Sequence, residues 1–180
     1  MKIALTQREF NIRGWQYDCT SQDWYTFLAD HTLSFVPNVT AFDYTGIDCL
    51  LIPGGEHTIN RDRVEKNAID LFLEQDKPII GVCHGSFVLN KYFGGVIGSV
   101  KGHRGTNHKI KLEGAEPLVA SWHSASIEQL ADCLEPIAWD MDGNVEGFKH
   151  KTKNIWGLVW HPERMTNPVL PKDLEALLNE

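Results

Sequence analysis

Apolar and polar positions keep different rhythms in the two halves of this chain. In the first half, short β-rich runs alternate with helical patterns. Residues 2–5 read as a strand and residues 21–30 as a helix with Ser21 as its N-cap. Residues 33–37 read as a second strand. Cys49–Ile52 is apolar at every position, which predicts a central strand covered on both faces. Residues 61–75 place Val64, Ala68, Leu71 and Phe72 at i, i+4, i+7 and i+8, the stripe of an amphipathic helix. Residues 78–82 form the next buried strand and residues 86–93 a short helix. Strand–helix–strand order of this kind predicts a mostly parallel sheet with helices on its faces.

The second half is richer in strands: residues 109–112, 119–122, 135–139, Val145–His150 and 155–160. Asp142-Gly143-Asn144 supplies a hairpin turn between the third and fourth of these. Leu174, Leu177 and Leu178 mark a short C-terminal helix. The expected fold is a three-layer α/β sandwich with a mostly parallel central sheet and an antiparallel β extension. No repeat or linker breaks the pattern, so residues 1–180 are expected to form a single domain.

Composition narrows the function classes. A net charge of −7 over 180 residues provides no overall basic footprint for nucleic acid. The longest apolar runs are far too short to span a bilayer. The start turns polar at Thr6-Gln7-Arg8 before a signal-peptide apolar region develops, so a cytoplasmic protein is expected. Cys19, Cys49, Cys83 and Cys133 are scattered without a CxxC pair, which argues against a disulfide framework and a cysteine zinc site.

Three segments carry candidate chemistry. Ile79-Ile80-Gly81-Val82-Cys83-His84-Gly85-Ser86 runs a buried strand through Gly-x-Cys-x-Gly into a helix, the cysteine form of a nucleophile elbow. The helix N-terminus and a nearby histidine are expected to favour thiolate at Cys83. Trp160-His161-Pro162-Glu163 sets a histidine two residues from a carboxylate. On an extended chain the two face one site, and Pro162 holds His161 out of helical geometry. Pro53-Gly54-Gly55 ends a central strand where a bare backbone N–H can meet a developing oxyanion. Each segment alone is more often structural: a core cysteine, a packed strand-end histidine, a plain turn.

The order and spacing of the three segments resemble the class I glutamine amidotransferase superfamily, including its γ-glutamyl hydrolase branch, over nearly the whole chain. Gly102-His103-Arg104-Gly105-Thr106-Asn107-His108 is similar to the family's segment after the nucleophile helix. Val119-Ala120-Ser121-Trp122-His123 is similar to its Val-Asn-Ser-x-His strand. The resemblance implies a flavodoxin-like fold and a cysteine hydrolase of γ-glutamyl amides that needs no cofactor. Cys83 would form a γ-glutamyl thioester, His161 would act as acid and base, and Glu163 would orient it. Backbone N–H groups of Gly55 and His84 would hold the oxyanion. Gly54, Phe87, Arg104, Ser121, Trp122 and His123 would contact the substrate. Phe87 stands where many glutaminases of the family carry glutamine, and Ala120 replaces the frequent asparagine.

Leu5-Thr6-Gln7-Arg8, Asp23-Trp24, Val36-Pro37-Asn38 and Trp160-His161-Pro162-Glu163-Arg164 resemble one hydrolase subgroup more closely. That subgroup is similar to γ-glutamyl-CDP-amidate hydrolases of capsule phosphoramidate synthesis. It implies a small, nucleotide-linked γ-glutamyl substrate. Lys101, His103, Arg104, His108, Lys109 and Lys111 form a positive segment that either suits such an anion or is a solvated face. His103, His108 and His123, taken with His161, match no standard ligand spacing, so no metal is expected. Two further functions compete: a glutaminase subunit delivering ammonia to a synthase partner, and a non-catalytic module on the same scaffold.

Overall fold

Buried strands that alternate apolar side chains to both faces need cover on two sides. The protein, seen here as a computed structural model, provides it with helices. Residues 1–39 and 41–179 are described. In chain order the strands are β1 (Lys2–Thr6), β2 (Arg8–Ile12), β3 (Trp15–Cys19), β4 (Thr32–Val36), β5 (Cys49–Ile52), β6 (Ile79–Val82) and β7 (Val96–Ser99). They continue with β8 (Arg104–Leu112), β9 (Leu118–Trp122), β10 (Ala125–Gln129), β11 (Leu134–Asp140), β12 (Val145–His150) and β13 (Ile155–Leu158). The helices are α1 (Asp23–Phe27), α2 (Ile59–Glu74), α3 (His84–Tyr92) and α4 (Lys172–Leu178).

The main sheet runs β4-β1-β5-β6-β13-β12-β11-β8-β9. Its first five strands pair in parallel and the next four are antiparallel. The parallel strands, ranked by position in the chain, have the order 2-1-3-4-5 of flavodoxin-like folds. Ile3, Leu5, Leu51, Ile80, Val82 and Leu158 face one core with Trp24, Leu28 and Leu174. Ala4, Leu50, Ile52, Ile79 and Ile155 face the other, beneath Ala68, Ile69, Phe72 and Leu89. The expected α/β sandwich with an antiparallel extension is therefore present.

Three local expectations change. The helix expected over residues 21–30 shrinks to α1, because Ser21 Oγ donates to Asp23 Oδ2 and caps no backbone N–H. On α2 the buried stripe is Arg61, Glu65, Ala68, Ile69 and Phe72, with Val64 and Leu71 only half-buried. An Arg61–Glu65 ion pair occupies the buried face of the helix. The hairpin β2–β3 and the pair β7–β10 escaped the pattern, since Trp15 and Tyr17 are exposed apolar residues rather than a buried alternation. The turn at Asp142–Asn144 is as expected: Asp140 Oδ1 accepts the backbone N–H groups of Asp142 and Asn144.

Candidate active site

Adjacent parallel strands β5, β6 and β13 each end at the same rim, where open α/β sheets bind ligands. At the end of β6 the Cys83 N–H donates to Leu158 O at 2.7 Å, extending the parallel ladder by one residue before the chain reverses into α3. Cys83 itself sits at φ 52°, ψ −106°, a conformation L side chains rarely adopt. Ser86 Oγ donates to Cys83 O at 2.7 Å and clamps the turn. A Cβ on Gly85 would overlap the carbonyl oxygen of Ile52, so only glycine lets α3 start this close to β5. Strand, strained cysteine and helix form the expected elbow.

His161, at φ −110° and ψ 86°, follows β13 outside helical geometry, and its N–H donates to Ala120 O at 2.9 Å. Glu163 reaches it by a different route from the expected strand alternation. Residues Pro162–Arg164 form a 3-10 turn that folds the carboxylate back, giving a 2.6 Å bond between His161 Nδ1 and Glu163 Oε1. Both side chains are 2% exposed. Nδ1 is thereby occupied and Nε2, buried without a hydrogen-bond partner, is left to face the cleft. Gly54 lies beneath the pair: a Cβ there would stand 2.7 Å from His161 Cε1 and 3.4 Å from Cys83 Cβ. The geometry makes Gly54 a spacer between the two side chains rather than a wall of the cleft.

Burial pushes the Cys83 thiol up to about 11; the His84 backbone N–H opposes this and the Glu163 charge adds to it. The expected bias toward thiolate is corrected, because desolvation outweighs the helix terminus. With the acid form favoured below about 11, the thiolate fraction should climb about tenfold for each pH unit across neutrality. Alkylation of Cys83 by iodoacetamide, followed by peptide mass spectrometry, should accelerate accordingly. A rate that is flat between roughly pH 6 and pH 8 would contradict this resting state.

Sequence reasoning missed the support behind the site. Arg61, fully buried, donates from Nε to Glu65 Oε1 at 2.6 Å, from Nη2 to Pro53 O at 2.7 Å and from Nη1 to Glu56 O at 3.2 Å. Glu65 Oε1 accepts from Thr6 Oγ1 at 3.0 Å, and Oε2 pairs with His84 Nε2 at 2.9 Å. Burial pushes Glu65 up, but the His84 hydrogen bond and the Arg61 charge outweigh it and hold the carboxyl below its usual range. The network fixes the Pro53–Glu56 turn and the residue after Cys83 together. Its sequence signal was an Arg–Glu pair at i, i+4 on the buried stripe of α2.

A cleft of about 560 Å³ opens over Cys83, walled by Gly55, His84, Phe87, Trp122 and His123. Arg8, Arg104 and Arg164 also line it. Of the positive segment noted in the sequence, only Arg104 borders this cleft. Lys109 pairs with Glu116, and Lys101 and Lys111 are exposed elsewhere. Ser121 is buried and donates to His103 O at 2.6 Å, so its hydroxyl serves the strand rather than a ligand. The Trp122 carbonyl lies 4.0 Å from Cys83 Sγ. His103, His108 and His123 group with Glu146, and His161 is not among them.

Comparisons with known proteins give the family and the fold. The pattern of the family described as glutamine amidotransferase class-I matches residues 25–177. The γ-glutamyl-CDP-amidate hydrolase of Campylobacter jejuni is 32% identical, with the whole of both chains aligned. Anthranilate synthase component 2 of Thermococcus kodakarensis is 32% identical over 77% of this chain and 78% of its own. Among solved structures, a glutamine amidotransferase from Thermotoga maritima superposes with a TM-score of 0.72 at 15% identity, over 90% of this chain and 76% of that one.

Proposed function

Because the chain belongs to the class I glutamine amidotransferase family, whose chemistry is directed at C–N amide bonds, we propose that it hydrolyses a γ-glutamyl amide through a thioester on Cys83. The observation that carries this reading is the 2.6 Å His161–Glu163 bond, which leaves Nε2 as the one ring nitrogen free for the elbow cysteine. Cys83 Sγ attacks the δ-carbon while its proton passes to His161 Nε2. The oxyanion is held by the N–H groups of Gly55 and His84. The C–N bond then breaks as the imidazolium returns its proton to the leaving nitrogen. Water, deprotonated by His161, attacks the thioester, and the C–S bond breaks to release glutamate and restore the thiol. Glu163 keeps the tautomer and offsets the imidazolium charge.

The substrate in this proposal is of the γ-glutamyl-CDP-amidate kind, so the leaving group is an anionic, nucleotide-linked amidate (CDP-amidate) used in making a capsule phosphoramidate. Arg104 at the cleft supports it, since a guanidinium fork matches phosphate oxygens, with Arg8 (paired to Glu56 at 2.7 Å) and Arg164 (3.5 Å from Glu163) beside it. Trp122, 53% exposed with Arg164 5.9 Å from its ring centre, offers a face for a base. Phe87, in place of an amide side chain, fits free glutamine less well. The test is glutamate release from glutamine, γ-glutamyl amines and γ-glutamyl nucleotide amidates. Turnover confined to glutamine would overturn the substrate reading. Arg104→Ala should raise KM for the nucleotide amidate about tenfold, the loss of one charged contact, with kcat nearly unchanged. An unaltered KM would remove Arg104 from the substrate.

A glutaminase subunit serving a synthase is the second reading, favoured by the similarity to anthranilate synthase component 2. It calls for weak activity alone and strong stimulation by a partner.

A further inference from the structure

Behind the cleft wall, and sharing His123 with it, four side chains meet in a way no hydrogen bonding explains. His103 precedes β8, His108 lies on β8, His123 follows β9, and Glu146 lies on β12. Their ligand atoms all fall within 4.8 Å of one another. His103 Nδ1, His108 Nε2, His123 Nε2 and Glu146 Oε2 are each buried without a hydrogen-bond partner. Glu146 and His123 are 2% exposed at the side chain and His103 9%. Leaving four such atoms unpartnered at one point is costly, whereas a single cation satisfies all of them.

We propose that His103, His108, His123 and Glu146 form a tetrahedral divalent-metal site suited to zinc. Glu146 oxygens stand 3.3 Å from His103 Nδ1, 3.8 Å from His108 Nε2 and 3.6 Å from His123 Nε2. Those separations are near the roughly 3.3–3.5 Å edge of a tetrahedron built on zinc bonds of about 2.0–2.1 Å. They are too long for good hydrogen bonds.

The opposite ring nitrogens are already engaged as a metal site requires. His123 Nδ1 lies 2.8 Å from Ala125 O and His108 Nδ1 3.3 Å from Lys109 O, so each presents a bare Nε2 to the centre. His103 Nε2 faces Asp140 Oδ2 at 3.5 Å, the carboxylate–histidine–metal arrangement. Two buried carboxylates then balance one divalent ion with three neutral imidazoles. Four protein ligands close the coordination shell, which makes the ion structural rather than catalytic.

The ion would rivet β8, β9 and β12 together, one residue beyond Trp122, whose carbonyl faces Cys83. The assignment rests on these side chains alone and does not depend on the substrate proposed above.

The test is elemental analysis of the full chain, produced without an affinity tag and freed of loose metal by gel filtration. About one zinc per chain is expected in the wild type, and less than about one-tenth in Glu146→Gln and in His108→Ala. Should those variants fail to fold, wild-type protein stripped with dipicolinate decides the matter. Its Tm should fall on stripping and recover when zinc alone is returned, and cobalt should give the intense visible bands of a tetrahedral centre. Wild-type protein with under about one-tenth of a metal per chain, no Tm response to added zinc and no tetrahedral cobalt spectrum would overturn the site. So would stoichiometric zinc retained by both variants.

Discussion

Cys83→Ala is expected to lower γ-glutamyl hydrolysis by about six orders of magnitude, the scale lost when a covalent nucleophile is removed from an otherwise intact triad. The companion variant Cys83→Gly should be equally inactive yet at least as stable as the wild type. Cys83 holds φ 52° and ψ −106°, and a non-glycine residue in such a region carries about 1–3 kcal/mol of strain. Glycine relieves that strain at the expense of the small buried side chain, worth about 1 kcal/mol. Urea unfolding of the two variants separates the contributions. If Cys83→Gly were markedly less stable than Cys83→Ala, the elbow would store no strain. If either kept more than about one-hundredth of wild-type turnover, Cys83 would not be the nucleophile.

Arg61→Met should cost about 3–5 kcal/mol, the usual penalty for stripping one partner from a buried ion pair. For a chain of this size that corresponds to a Tm lower by roughly 10 °C. The substitution removes three donated bonds at once and leaves Glu65 buried beside only Thr6 and His84. The double variant Arg61→Met, Glu65→Leu should recover much of the loss, since a hydrophobic pair of similar volume often replaces a buried salt bridge without penalty. Activity should not recover with it. Two of the lost bonds hold the carbonyls of Pro53 and Glu56, so the turn bearing Gly55 loses its brace in both variants. Full turnover by the refolded double variant would show that the network serves stability alone.

The parallel core was legible because Cys49–Ile52 and residues 78–82 are apolar at every position, and the cysteine elbow because Gly81, Cys83 and Gly85 end such a strand. His161 and Glu163 were paired correctly for a partly different reason: the bond closes through a 3-10 turn, which spacing alone does not distinguish from strand alternation. Arg61 and Glu65 were hidden because a charged pair on the buried stripe of a helix runs against the hydrophobic count. Spacing rejects His103, His108 and His123 as ligands beside His161, and their meeting with Glu146 was hidden for a topological reason. The four side chains come from three strands and their ends, and the order β12-β11-β8-β9 brings them to one point. Ligand spacing rules describe local loops and turns, not side chains gathered across a sheet.

The residues proposed to break the bond stand at the ends of three neighbouring parallel strands, Gly55 after β5, Cys83 after β6 and His161 after β13. Of the arginines proposed to favour one leaving group, Arg8 stands on the first hairpin and Arg104 at the start of β8, and only Arg164 shares the 3-10 turn of Glu163. Proposed reaction and preference are thus written largely on separate pieces of chain. A lineage, or an engineer, can redraw the perimeter of the cleft and present the same cysteine with a new amide, without renegotiating the register that places the cysteine at the rim.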